Sequence, residues 1–411
     1  MDNSYEFELP TGLIAQEPPP RRGDSRLLLV EPQIGIVREA VFRDLPHILR
    51  PGDRLILNES RVLPARLQTR REDTGGHVEI LLLRPAGESG TETSGSWLCM
   101  ARPARRLRPG VRLVVEAPPG GAAGEPAVLT VLSKDDESGQ VVIGCAEDLA
   151  AVAEEWGVMP LPPYIRRDEA STQQDAHDRE RYQTVYAAAD ATGAGSVAAP
   201  TAGLHFSTDT LAALEARGVT TSRVSLHVGP GTFKPPSEEQ IAARRLHREH
   251  FRLPAETSGE MAATRAAGGR VIAVGTTALR VLETVQRLGL HAGKSDHRTF
   301  GPGADDPDPF FTGEARRRNG QWEVAGETRL FISPPEKVTA ADGLLTNFHL
   351  PGSSLLMLVA SLMGAHIWRD VYTAAVGSEM RFYSYGDCML ILPAGEQGEL
   401  QPEPQPEPEP S

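Results

Sequence analysis

Two histidines stand where general acid–base chemistry could be built. His205 lies in TAGLHF (201–206), a glycine-containing loop ahead of a helical stretch, and His227 closes RVSLHV (223–228) just before GPGTF. Imidazole exchanges protons near neutral pH, so either ring can serve as a base. In RVSLHV, Val224, Leu226 and Val228 alternate onto one strand face and leave Arg223, Ser225 and His227 on the other. With the apolar face against helices, His227 looks into a cleft; a satisfied structural histidine is the alternative. Two further loops carry hydroxyls, amides and an imidazole: VGTT supplies Thr276 and Thr277, and TNFHLPGSS supplies Asn347 and His349. Thr201, Gly229, Gly231 and Thr232 complete the set. Such side chains, with backbone N–H groups in glycine-rich loops, are the donors that stabilise developing negative charge.

Each of these loops follows the same unit of apolar strand, polar loop and helix. SVAA (196–199) leads to helix STDTLAALEAR, with Gly218 as a stop. RVSLHV leads to a helix opened by Ser237, with Gln240 at the capping-box spacing. RVIAV (270–274) leads to GTT and helix ALRVLETVQRL, and GLLTNF (343–348) leads to helix LLMLVASLMGAHI. In α/β folds ligands lie beyond the C-terminal ends of the strands, so the four loops are expected to share one pocket. Residues 66–147 read differently. Short β-like runs (HVEILLL, SWLCMA, VRLVVEA, AVLTVL, QVVIGC) alternate with turn clusters such as EDTGG and APPGGAAGEP, the pattern of a small β-barrel or sandwich. The expected fold is therefore α/β: a larger α/β domain (1–65 and 148–394) with a smaller inserted β domain (66–147). A Pro/Glu tail (395–411) follows, expected to be extended and disordered. About 293–320, with GPGADDPDP, reads as a surface excursion.

Composition removes several function classes. The chain has 411 residues, 40% hydrophobic and 24% charged, so it can bury cores for two domains. Its three cysteines (Cys99, Cys145, Cys388) are too far apart for a disulfide framework, a zinc ribbon or an iron–sulfur cluster. GLHAGKS (289–295) has three residues between its glycines where a phosphate-binding loop needs four, and GPGTFK lacks the third dinucleotide glycine. HREH (247–250), read on a helix, places two imidazoles at i, i+3 without the glutamate of a zinc protease. No GxSxG elbow is present. No metal is expected. The most apolar stretch, Leu355 to Ile367, is short of the ~20 residues that span a bilayer, so a cytoplasmic protein is expected. Net charge is −13, but five glutamates sit in the tail, and Arg102, Arg105, Arg106, Arg108 and Arg112 fall within eleven residues free of acid. That patch can bind RNA phosphates despite the global sign, or be a solvated turn.

Longer strings are specific. LIAQEPPPRRGDSRLL (13–28), LNESRVLPARL (57–67), RPARRLRPG (102–110), PLPPYIRR (160–167), DRERYQTVYA (178–187) and GSVAAPTAGLHF (195–206) come first. SLHVGPGTF (225–233), VGTTALRVLE (274–283), LLTNFHLPGSSLLMLVAS (344–361) and MRFYSYGDCMLI (380–391) follow. Together they resemble the S-adenosylmethionine:tRNA ribosyltransferase-isomerase family of queuosine biosynthesis. They cover all but the interior of the β domain, the excursion and the tail.

The resemblance implies an α/β barrel-like domain with an inserted β-barrel. The implied activity moves and isomerises the ribosyl moiety of S-adenosylmethionine onto 7-aminomethyl-7-deazaguanine at the tRNA wobble position, giving epoxyqueuosine with release of adenine and methionine. S-Adenosylmethionine is then a consumed substrate and no cofactor or metal is implied; tRNA is the partner and a monomer is expected. By resemblance, His205 and His227 are the catalytic candidates. Thr201, Gly203, Gly229, Gly231, Thr232, Thr276, Thr277, Asn347, His349, His247, Arg61 and Asp387 are the substrate-binding candidates. Arg102, Arg105, Arg106 and Arg108 are candidates for tRNA phosphates, and Tyr164, Tyr182, Phe206, Phe233 and Tyr385 for splayed bases or core rings. Two places depart from the family pattern. Arg244 replaces the first histidine of an H-x-x-H spacing whose second is His247, and Ser333-Pro334-Pro335-Glu336 replaces a Pro-Gly-Tyr. They leave open a relative that modifies a free deazapurine or another small amine; a non-catalytic RNA-binding protein is the third reading.

Overall fold

Strict alternation builds the smaller unit. Strands β4 (Arg66–Arg71), β5 (His77–Pro85), β6 (Trp97–Arg102), β7 (Arg112–Val115), β8 (Val128–Lys134) and β9 (Gln140–Cys145) pair antiparallel and close as β4-β5-β6-β9-β8-β7. Every second side chain turns inward, so Leu67, Val78, Ile80, Leu113, Leu129, Val131, Val141 and Ile143 fill the interior. Ile143 is fully buried, and truncating such a residue to alanine costs about 2–5 kcal/mol. α2 (Leu149–Trp156), N-capped by Asp148, packs Leu149, Val152 and Trp156 onto the same core.

This computed structural model describes residues 5–393 except 33, 87–94, 119–120, 122–123, 137–138, 168–171, 189–195, 230, 232–234, 291–294, 304–308 and 365. Thr232, Phe233 and the 395–411 tail therefore lie outside the described residues.

The larger unit is an eleven-stranded mixed sheet. In chain order its strands are β1 (Arg26–Glu31), β2 (Gly35–Val41), β3 (Arg54–Asn58), β10 (Thr220–Leu226), β11 (Arg245–Leu253), β12 (Val271–Val274), β13 (His297–Phe300), β14 (Phe311–Arg318), β15 (Gln321–Leu330), β16 (Gly343–Asn347) and β17 (Cys388–Ile391). The spatial order is β13-β14-β15-β11-β10-β3-β12-β16-β17-β1-β2. At its centre β10, β3, β12 and β16 run parallel. Both faces of β12 and β16 are covered, and every residue of these two strands is buried. Val271 and Ala273 face α7 (Gly275–Arg287) and α8 (Ser354–Met363), while Ile272 and Val274 face Phe42, Phe206 and Leu214. The mixed α/β class with a closed small barrel agrees with the sequence reading.

Local signals set several helix ends. Ser207 caps α4 (Thr208–Ala216) through the Thr210 N–H, and Ser237 with Gln240 forms the anticipated capping box of α5 (Glu238–Ala243). The remaining helices are α1 (Leu45–Ile48), α3 (Thr172–Arg181), α6 (Ala255–Ala266) and α9 (Ile367–Gly377).

Five expectations are corrected. Segment 196–199 makes only a bridge from Ser196 to Val62 and is not a strand. GTT belongs to the first turn of α7, and LLMLVASLMGAHI breaks at Gly364 (φ +105) into α8 and α9. HREH is part of strand β11, because Glu249, Phe251 and Leu253 alternate onto one buried side of a sheet and not one stripe of a helix. Much of 293–320 is β13 and β14, which prolong the sheet beyond β15.

Candidate active site

The C-terminal ends of the four parallel strands meet on one side of the sheet. Asn58, the last residue of β3, fixes the end of β10: its Oδ1 accepts from the Leu226 N–H (2.9 Å) and its Nδ2 donates to the Leu226 carbonyl (3.0 Å). The Val228 N–H donates to Ser196 Oγ (2.9 Å), and its carbonyl accepts from the Val197 N–H (3.0 Å), which holds 196–199 as a wall beside β10. A cleft opens here between Ala198–Ala202, Val228, Gly275–Thr277, Thr346–Leu350 and Ser353, with Tyr164 and Tyr383 across from them. Among the described residues no Asp, Glu, Lys or Arg lines it.

Asn347 is the polar centre of this cleft. Its Nδ2 donates both protons, to Tyr383 O (2.9 Å) and to His205 Nε2 (3.1 Å). A carbonyl cannot donate, so the amide orientation is determined, and the buried Oδ1 is left without a hydrogen-bond partner. His205 receives that bond on Nε2, so its ring proton sits on Nδ1 and reaches Ser25 Oγ (2.9 Å). The ring also stacks on Phe42 with centroids 5.2 Å apart. Burial, then the charge of Arg381, pushes its pKa down to about 3. His349, whose Nε2 lies 2.9 Å from Thr346 Oγ1, is likewise driven to about 3 by burial. Both rings are neutral at physiological pH. Tyr383 holds a left-handed backbone (φ +74), a conformation that costs a non-glycine residue about 1–3 kcal/mol. Its ring lies 4.1 Å from that of Tyr164, whose hydroxyl meets Ser384 Oγ at 2.6 Å.

A second constellation flanks the cleft. His247 Nε2 lies 3.2 Å from Glu249 Oε1, and Glu249 Oε2 accepts from the Arg280 guanidinium. Glu249 and Arg280 are 2% and 4% exposed, so each charge needs the other. Arg280 stands one helical turn along α7 from Thr276 in the cleft wall. The loop after β10 covers the imidazole. A β-carbon at Gly231 would stand 2.5 Å from His247 Nδ1, so only glycine allows that approach, and Gly229 borders the other edge of the ring. His227 is half-buried beside the same loop, its N–H bonded to the His250 carbonyl (2.9 Å).

The expectation that His205 and His227 face one pocket is therefore corrected. His205 turns away into a small cleft with Pro18, Pro19, Arg181 and Tyr385, because Ser25 and Phe42 hold it there. Thr201, Thr276, Thr277, Asn347 and His349 do come together. Gly203 packs against the Tyr186 hydroxyl instead. Arg61 pairs with Glu154, and Asp387 accepts from the N–H groups of Arg26 (2.9 Å) and Arg381 (2.8 Å), so both serve as staples away from the cleft. Tyr164 lines the cleft and Tyr385 the small neighbouring one, whereas Tyr182 and Phe206 are core rings. Arg102, Arg105, Arg106 and Arg108 are exposed around buried Leu107 between β6 and β7, with no acidic partner among the described residues. Sequence reasoning missed Ser25, Asn58, Glu249, Arg280 and Tyr383. Only Glu249, two residues from His247 on one strand face, carried a local signal.

Among the described residues no group of three His, Cys, Asp or Glu could hold a metal, and no helix is long and apolar enough to cross a membrane. Residues 2–391 match the family model described as queuosine biosynthesis protein. An S-adenosylmethionine:tRNA ribosyltransferase-isomerase of Acidithiobacillus ferrooxidans is 46% identical over 389 residues, 95% of this chain and 97% of that protein. One of Ruegeria pomeroyi is 41% identical over 403 residues, 95% and 99% of the two chains. A solved S-adenosylmethionine tRNA ribosyltransferase of Thermotoga maritima is 30% identical, spans 95% of this chain and all of that one, and superposes with a TM-score of 0.48. Matched along nearly its whole length, the chain belongs to the queuosine biosynthesis protein family of S-adenosylmethionine:tRNA ribosyltransferase-isomerases.

Proposed function

We propose that the chain transfers and isomerises the ribosyl moiety of S-adenosylmethionine onto 7-aminomethyl-7-deazaguanine at the tRNA wobble position, yielding epoxyqueuosine-tRNA, adenine and methionine. One observation carries the reading on the structural side: the cleft at the ends of the parallel strands is apolar and uncharged, with an unsatisfied buried acceptor at Asn347. Such a site suits a small donor whose own charges are met by dipoles, and the family's reaction uses one. The exposed arginines of the inserted unit (66–147) suit the polyanionic acceptor.

The reaction needs a base for a proton of the ribose 5′ carbon, acidified by the sulfonium, or of the acceptor ammonium. His205 is poorly suited, since both nitrogens are occupied and burial disfavours its charged form. We assign the proton transfer to the imidazoles around the 229–231 loop. His247 is the first candidate, because Glu249 takes its Nε2–H and leaves Nδ1 with a lone pair; His227 is the second. His205 is then a positioning residue that orients Asn347. The reading needs no resident cofactor and places a monomer in the cytoplasm.

The test is product identity. Purified chain, S-adenosylmethionine and tRNA carrying the 7-aminomethyl precursor are incubated, and the digested nucleosides are identified by mass. Conversion to epoxyqueuosine with stoichiometric adenine is expected. Unchanged precursor, where a family member converts it, would overturn the reading.

A further inference from the structure

The functional reading leaves open which end of the donor enters the apolar cleft. α7, thirteen residues long, opens directly into it: Gly275, Thr276 and Thr277 all line the wall. The first N–H groups of a helix have no intrahelical partner and carry the positive end of its dipole. Here Val274 occupies the cap position, and no side chain caps those groups. Gly275 adopts φ +86, a left-handed turn that leads the chain from β12 into the helix. Opposite in polarity is Asn347 Oδ1, a buried acceptor without a partner in the same wall; Asn347 is 2% exposed. The cleft thus offers donors at one point and an acceptor at another, with no ionic side chain to serve either.

We propose that this cleft seats the amino-acid end of S-adenosylmethionine, its carboxylate on the N–H groups that open α7 and its ammonium on Asn347 Oδ1. A carboxylate only accepts and an ammonium only donates, so the two cannot exchange places without leaving both walls unsatisfied. A phosphate of the tRNA is the other anion present in the reaction. It brings no donor for Asn347, and it would enter a cleft walled by Ala, Pro, Phe and Leu side chains without one arginine or lysine. The inference deepens the functional reading and rests on it.

Decarboxylated S-adenosylmethionine keeps the sulfonium, ammonium and adenosine and lacks only the carboxylate. With the full chain and saturating precursor tRNA, adenine release should show a KM at least tenfold higher for this donor, with kcat within about threefold. Thr276→Pro deletes one N–H at a helix start, where proline is tolerated. In that variant KM for S-adenosylmethionine should rise toward that of the decarboxylated donor, which itself should change little. A KM for the two donors within twofold of each other in the wild type would overturn the inference. So would a Thr276→Pro effect equal for both donors. If Thr276→Pro does not fold, the wild-type comparison decides alone. Absence of adenine from either donor is a separate result: it brings down the functional reading, and the inference with it.

Discussion

Arg244 Nη2 and Glu336 Oε1 are 2.8 Å apart, which joins the two places where the chain departs from its family's pattern. The same guanidinium lies 3.4 Å from Ser333 Oγ and 5.8 Å from the centre of the Phe331 ring, and Arg287 holds the second Glu336 oxygen at 3.0 Å. The two departures therefore meet in one contact, made by a left-handed residue (φ +52) that ends α5. Arg244 and Glu336 are 40% and 33% exposed at their side chains, so solvent screens the pair, and its worth is at most ~1 kcal/mol. A double-mutant cycle of Arg244→Ala and Glu336→Ala in urea should give a coupling of about 0.5 kcal/mol, with turnover changed less than threefold. Zero coupling would make the two departures independent.

The arginines between β6 and β7 yield a prediction in salt. Each phosphate contact contributes ~0.7–0.9 to the slope of log K against log salt. Replacing Arg105 and Arg106 with alanine should lower tRNA affinity and reduce that slope by about 1–2, while KM for S-adenosylmethionine stays within twofold. Filter binding between ~50 and ~200 mM salt reads it. An unchanged slope returns the four side chains to a solvated turn.

What the sequence made legible was what local pattern controls. Alternating Leu, Val and Ile marked the barrel strands, and Ser207 and Ser237 marked helix starts. The strand–loop–helix repeat brought Thr276, Thr277, Asn347 and His349 to one cleft, where Thr201 joins them from a segment that is not a strand. What it hid depends on partners distant in the chain. In HREHFRL the alternation of Glu249, Phe251 and Leu253 was masked because Glu249 reads as a surface residue until Arg280 is placed beside it. His205 reads as a base until Ser25 and Asn347 occupy its nitrogens. Arg61 and Asp387 fall within specific strings for the same reason that active-site residues do, yet their bonds are to Glu154 and to backbone N–H groups.

The two buried rings of the site predict an acid-sensitive fold. His205 and His349 have folded pKa values near 3 against an ordinary 6.5, so the unfolded chain binds protons that the native state refuses. Their effect is absent above ~pH 6.5, and stability falls as pH drops from there toward 3, by about 1.4 kcal/mol per pH unit for each ring. Carboxylates act lower. Glu327, held at about 2 chiefly by its hydrogen bond to His250 at 2.9 Å, stabilises above its unfolded value, and that contribution is lost only as pH falls toward 2. Between pH 5 and 6.5 the two buried rings act above the range in which Glu327 loses its contribution. His349→Asn should flatten the dependence there by about one proton, read from urea midpoints; an unchanged slope would mean that this ring is protonated in the native state.

Three imidazoles compete for the proton transfer, and their surroundings predict different kinetics. His247→Ala removes the ring that Glu249 orients under Gly231, and single-turnover adenine release at saturating substrates should fall by ~10²-fold or more. Glu249→Gln keeps the shape but loses the charge that faces Arg280. It should lower the rate by about tenfold and shift the pH–rate profile, a change that simple loss of packing would not produce. His205→Ala frees the Asn347 amide, so its main effect should be a higher KM for S-adenosylmethionine, with the saturated rate within about tenfold of wild type. His227→Ala should fall between them, since residue 227 precedes the same loop and is half-buried beside it. The decisive comparison is His247 against His205 at saturation. A His247→Ala enzyme within threefold of wild type, beside a His205→Ala enzyme slowed ~10²-fold, would move the catalytic base to the far side of Asn347.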